Sequence, residues 1–226
     1  MERILSFLTE LKENNNREWF EANRKEYLDV KKIFENFVVQ LIEGISQFDK
    51  TIHNITVKDC TYRIYRDLRF SKDKTPYKTH LGAFVCPFGK KSGYSGYYFH
   101  IEPNTQSSFL SGGHQLITGS YRPTPKLLQS IREEIWTNGE QFVKNIKKAE
   151  GFSLIKEDAL KKAPRGFPSD YKYIEYIKLK DYCLAKPIDD KFILNKNLIE
   201  NTINEFRKTY DFNYMLNQAI EFVLEE

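Results

Sequence analysis

Residues 58–80 read KDCTYRIYRDLRFSKDKTPYKTH, and the pattern in and just after this stretch decides that the chain is built on a sheet. From Cys60 to Phe70, Tyr62, Ile64, Leu68 and Phe70 alternate with Arg63, Tyr65, Asp67 and Arg69, the period of a strand with one face buried. Arg66 interrupts the apolar side, where an arginine needs an end position or a carboxylate partner. Ser71 to Tyr77 is a polar, proline-containing loop. Leu81, Ala83 and Val85 then mark one face of a second strand, with His80, Gly82 and Phe84 on the other.

Working outward, GKKSGYSG at 89–96 is turn chemistry, and a third strand runs from Tyr97 to Glu102. In it Tyr97, Phe99 and Ile101 share one face and Tyr98, His100 and Glu102 the other. A fourth strand is expected over Ser107 to Ser111, before Gly112-Gly113-His114. Short strands joined by short polar turns predict an antiparallel meander. Lys178 to Pro187 adds an edge strand.

Helices flank this sheet on both sides in sequence. Ile4, Leu5, Phe7, Leu8 and Leu11 fall at helical spacing over residues 2–13, and Asn14 to Asn16 stop that helix and supply a cap for the next. From Arg17 to Phe48 a ring-lined stripe recurs every seven residues. Straight, such a helix would run about 48 Å, so a bend or break near Asp29 or Gly44 is expected. Leu127 to Ile135 and Phe142 to Ile146 form two further stripes separated by Asn138-Gly139, and Leu198 to Leu224 is mainly helical. The expected fold is α+β: an antiparallel β-sheet meander packed against N-terminal and C-terminal helices, in a single domain over 1–226.

Composition narrows the classes of function. Three cysteines, Cys60, Cys86 and Cys183, without CxxC spacing support neither a disulfide framework nor a thiolate metal centre. No apolar run approaches the ~20 residues of a membrane span, and the N-terminus shows no cleavable leader pattern. The expectation is a cytoplasmic protein that engages no membrane.

Charge points to a place. Seven basic and three acidic residues leave Lys58–His80 at +4, the net charge of the whole chain, so the remainder sums to zero. An excess confined to one segment makes a local field for anions. Arg63, Tyr65, Arg69, Lys72, Lys74, Lys78 and His80 are the candidate ligand-binding residues for a phosphate or carboxylate. The competing reading is a solvated strand face on which Arg63, Asp67 and Arg69 pair only with one another. Asp67, His100 and Glu102 are the candidate acid–base groups.

His100 and Glu102 alternate onto one face, and His80 and His114 can approach from neighbouring strands, so an N/O metal site is the second candidate. It ranks below the anion site, because HxE on a strand is a weak signal and HExxH is missing. The expectation is therefore no metal, no closed structural zinc and no cofactor. Nucleic acid ranks third as a partner: aromatics interleave the basic stretch, but +4 is low and no helix-turn-helix, RRM or zinc-finger pattern occurs. Two readings follow, an enzyme acting on a small anionic substrate and a non-catalytic binding or interaction module. Oligomeric state is not legible from these residues.

NNNREWFEANR at 14–24, YRIYRDLRFSKDKTPYKTH at 62–80, YYFHIEP at 97–103 and PRGFPSD at 164–170 together resemble a bacterial and fungal family known as domain of unknown function 2461. The resemblance covers nearly the full length. It implies a shared fold and a shared site, and no particular reaction.

Overall fold

The structure is a computed structural model that describes residues 1–69, 72–103 and 113–224. The helices are α1 (Glu2–Glu13), α2 (Arg17–Ala22), α3 (Arg24–Phe48), α4 (Val57–Cys60), α5 (Pro125–Lys148), α6 (Ile174–Ile177), α7 (Asp190–Ile193), α8 (Leu198–Arg207) and α9 (Tyr210–Leu224). The strands are β1 (Leu81–Val85), β2 (Gly96–Ile101), β3 (Gln115–Ser120), β4 (Ser153–Leu154) and β5 (Tyr182–Pro187). Among the described residues they form one sheet in the order β1-β2-β3-β5-β4, with every pairing antiparallel. This is the expected α+β architecture, with helices at both ends of the chain.

The core lies between one face of the sheet and the helices. Tyr97, Phe99 and Ile101 on β2 point into it and are fully buried. Phe37 of α3 packs its ring 4.6 Å from that of Phe99, and Phe206 of α8 lies 5.5 Å from Tyr97. Tyr97 donates a buried hydrogen bond to Asp49 at 2.9 Å, so its hydroxyl is satisfied inside the apolar layer.

The N-terminal stripe from Arg17 to Phe48 is two helices, and the break falls at Asn23 instead of near Asp29 or Gly44. Asn23 turns its side chain back to donate to the Trp19 carbonyl at 2.9 Å, a local bond that competes with helix continuation. Gly44 has the opposite role from a breaker. A Cβ there would lie 2.0 Å from Cδ1 of Ile203, so glycine lets α3 and α8 approach closely while the helix runs on to Phe48. Asn16 caps α2 as expected, accepting from the Trp19 amide at 2.9 Å. The two stripes of 127–146 are one element, α5, bent at Asn138 where φ is −122° and ψ is 36°.

Residues 60–69 are not a strand, and Phe70, expected on the buried face, lies outside the described residues. Cys60 ends α4, and the described remainder makes only isolated bridges, Thr61 with Ala83 and Tyr65 with Tyr77. The segment folds against its own return: the Arg66 amide donates to the Pro76 carbonyl and the Lys78 amide to that of Ile64. The Tyr65–Tyr77 bridge cannot grow into a ladder past Pro76, which has no N–H to donate, and the contact with β1 stops at the one Thr61–Ala83 bridge. Ile64 is buried, but Tyr62 is 43 % exposed and Leu68 half-buried, so the alternation does not translate into faces. Arg66 has the carboxylate it required, in Asp73.

Two strand expectations change as well. Ser107–Ser111 lies outside the described residues. The strand after β2 is β3, whose Gln115, Thr118 and Gly119 obscure the apolar alternation because residues on both of its faces are buried. The C-terminal strand is interior, since β5 pairs with β3 on one side and with the two-residue β4 on the other. No described helix is long and apolar enough to cross a membrane.

Candidate functional site

The sheet face turned away from the helices lines a cavity of about 640 Å³. The registers explain its floor. Gly82 pairs with His100, Phe84 and Ile117 flank Tyr98, and Gln115 lies beside His100, so the residues alternating away from the core meet on one surface. Gly82 is required there. A Cβ would stand 2.3 Å from the Tyr98 hydroxyl, so only glycine lets that phenol lie across β1.

Three side chains able to hold a proton or a metal ion lie close together: His80, His100 and Glu102. The His80 and His100 rings stand 4.5 Å apart, and His100 Nε2 lies 3.3 Å from Glu102 Oε2. His100 Nδ1 is 3.0 Å from the Tyr98 hydroxyl, and the Thr79 hydroxyl donates to Glu102 Oε1 at 2.7 Å. The His100 and Glu102 side chains are only 14 % and 13 % exposed. Burial, and then the neighbouring His100, push the His80 imidazole well below its ordinary pKa. Burial would raise the Glu102 carboxyl, but hydrogen bonds from His100 and Thr79 together with the two imidazoles hold it below the usual carboxylate value. The site therefore presents a carboxylate beside an imidazole that is uncharged at neutral pH.

Cations surround the group. Arg63, Lys78, Lys90 and Arg122 line the cavity, with Glu102 as the one acid among its described lining residues, an excess of three positive charges when the histidines are neutral. Among the described residues none of the four is in an ion pair. Lys78 and Lys90 sit over the Tyr62 ring at 5.4 and 5.8 Å. Burial, followed by the charge of Arg63, lowers the Lys78 pKa. Arg122 is held at φ 50°, a conformation costing a non-glycine residue about 1–3 kcal/mol, with its amide bonded to Asp181.

Of the candidates drawn from the sequence, Arg63, Lys78, His80, His100 and Glu102 line this cavity. Asp67 and Arg69 lie outside it, paired with each other at 2.7 Å. Lys72 is exposed on the loop, and Lys74 donates to the Leu68 carbonyl. Tyr65 belongs to an aromatic cluster, 5.9 Å from Phe20 and 5.4 Å from Tyr77. Asn15 anchors that cluster by bonding both the carbonyl and the amide of Tyr77, as a peptide group would. His114 stands behind the floor, where Nδ1 accepts from the Glu102 amide at 3.1 Å and Nε2 meets Asp190 at 2.7 Å.

Sequence reasoning missed Thr79, Lys90, Tyr98 and Arg122 as parts of the site. Tyr98 shares the alternation of His100 and was there to be read. Lys90 and Arg122 stand in turns, and no local pattern marks them. The three cysteines are free and buried; burial pushes the Cys60 and Cys86 thiols up to about 12, which leaves them poor nucleophiles.

Compared with known proteins, residues 3–214 match the profile of a family described as "Conserved hypothetical protein (DUF2461)". No curated protein and no solved structure matches the chain.

Proposed function

The chain belongs to the DUF2461 family of conserved hypothetical proteins, and since that membership names no reaction, we propose from the cavity itself that the protein binds a small phosphate- or carboxylate-bearing molecule on the open face of its sheet and acts on it. The observation that carries this reading is the convergence of Arg63, Lys78, Lys90 and Arg122, none of them in an ion pair among the described residues, on one concave site. Its volume falls within the ~300–1,000 Å³ of small-molecule sites. Tyr62, Tyr94 and Tyr98 line it too and offer apolar surface to the rest of the ligand. Charge-assisted hydrogen bonds contribute about 1.5–3 kcal/mol each. Three or four of them account for a micromolar ligand, about −8 kcal/mol.

The His100–Glu102 pair favours an enzyme over a passive binding module, because it places groups able to hold and move a proton next to the anion. A reducing, cytoplasmic setting fits the three unpaired thiols. Calorimetry against inorganic phosphate, sugar phosphates, nucleotides and dicarboxylates tests the proposal. Binding that weakens with salt is expected, since half-exposed charges are screened over about 8 Å at physiological ionic strength. No binding at millimolar concentration across the panel refutes it.

A further inference from the structure

We infer that His80, His100 and Glu102 form a divalent metal site of two imidazoles and one carboxylate, with its remaining coordination positions open to the cavity. The donor atoms of the three lie within 4.8 Å of one another, and His100 Nε2 and Glu102 Oε2 are already 3.3 Å apart. Around a first-row ion with bonds of about 2.0–2.2 Å, neighbouring donors stand about 3–3.5 Å apart. The His100–Glu102 spacing already suits such an ion, and the remaining donor distances, at most 4.8 Å, must shorten for all three to bind it. His100 lies on β2, Glu102 is the residue just after that strand, and His80 is the residue just before β1, so the Leu81–Ile101 pairing brings the three to one end of the β1–β2 ladder.

The supporting bonds are those a metal site needs. Tyr98 engages Nδ1 of His100 and leaves Nε2 aimed at the cluster. Thr79 holds one oxygen of Glu102, the other faces His100 Nε2, a contact that a metal between the two would replace, and the Glu102 backbone is fixed by His114, which is fixed in turn by Asp190. Outer-shell partners of this kind orient ligands and set their tautomers. Among the described residues His80 has no hydrogen bond on either ring nitrogen, although its ring packs at a tilt against that of His100 and lines the cavity. Two nitrogens and a carboxylate oxygen suit zinc or ferrous iron better than the hard calcium or magnesium ions.

This inference stands apart from the anion reading, because the donor set and not the basic rim carries it. The rim counts against a bare cation, and an anion in the cavity offsets that repulsion, so metal and anion are expected to bind with positive coupling.

The test titrates the chelator-treated full chain with Zn²⁺ and with Co²⁺ alone, reading stoichiometry by calorimetry and coordination by the visible spectrum of cobalt. One ion per chain is expected, with a spectrum of N/O ligands. His80→Ala, His100→Ala and the nearly isosteric Glu102→Gln should each weaken it at least about hundredfold, and Thr79→Ala about tenfold. Replacing His53, exposed and away from the cavity, should change nothing. Absence of binding to the folded protein overturns the inference, as does one-to-one binding that survives all three ligand substitutions. If metal binding fails while phosphate binding persists, the anion reading stands and His100–Glu102 is a proton-transfer pair alone; Arg63→Glu should weaken phosphate and, by removing a rim charge that repels the cation, should not weaken uptake of the metal in the absence of anion.

Discussion

Arg63 and Arg69 are the sharpest pair on which to test the anion site, because they alternate onto the same side in the sequence and the tertiary structure separates them. Arg63 lines the cavity, whereas Arg69 is 77 % exposed and spends its guanidinium on Asp67. A unit charge about 5 Å from an anion contributes about 0.8 kcal/mol at the dielectric constant of water and about 3 kcal/mol at an effective value of 20. The half-open cavity lies between these limits. Arg63→Glu changes the local charge by two, so the expected loss is about 3 kcal/mol, on the order of a hundredfold in affinity. Arg69→Glu, at an exposed position outside the cavity, should change affinity less than twofold. Isothermal calorimetry with inorganic phosphate at low and high salt reads both, with circular dichroism to confirm that each variant folds. The reasoning is refuted if the two reversals weaken binding equally, or if neither does.

Further outcomes follow from particular contacts. The Lys78 pKa lies below its ordinary 10.5 because of burial and then Arg63. Phosphate affinity should thus fall as pH rises through that lowered value, a step that Lys78→Met removes from the calorimetric pH profile. Asp73 is held at about 2 by the Thr75 amide, Arg66 and the Thr75 hydroxyl. With its folded value depressed, its grip on the 66–75 loop is complete above the ordinary 3.8 and is lost as pH falls through about 2; an NMR carboxyl titration with an ordinary midpoint would contradict this. Ile64→Ala, at a site 1 % exposed, should cost about 2–5 kcal/mol by denaturant unfolding, clearly more than Leu68→Ala at a half-buried one. Gly44→Ala gains about 1 kcal/mol of helix propensity but drives its Cβ against Ile203. Overpacking of about 1–3 kcal/mol should leave it less stable, with the loss recovered when Ile203→Ala is added and both are measured by thermal melts.

How much was legible in the residues depends on whether the signal is local. Helical spacing from Ile4 to Leu11 and alternation through β1 and β2 are set by the covalent geometry of the chain, so these elements were readable without any partner. For the same reason His100 and Glu102 had to share a face, Asn16 could be read as a cap, and Arg66 as an arginine in need of a carboxylate. Alternation in 60–70 was equally clear and yet its described part, 60–69, makes only isolated bridges, because a strand also needs a neighbour along its length, and Pro76 interrupts the one this segment folds against. Gly44 looked like a helix breaker until Ile203 was seen against it. Which cations converge was beyond local reading. Lys90 and Arg122 come from turns distant in sequence, and Arg69 departs from Arg63 only because the 64–78 loop folds back on itself. His80 meets His100 through the register that places Gly82 opposite it, and that register is set by burial of Ala83 and Phe99 on the other face of the sheet, a choice made by packing.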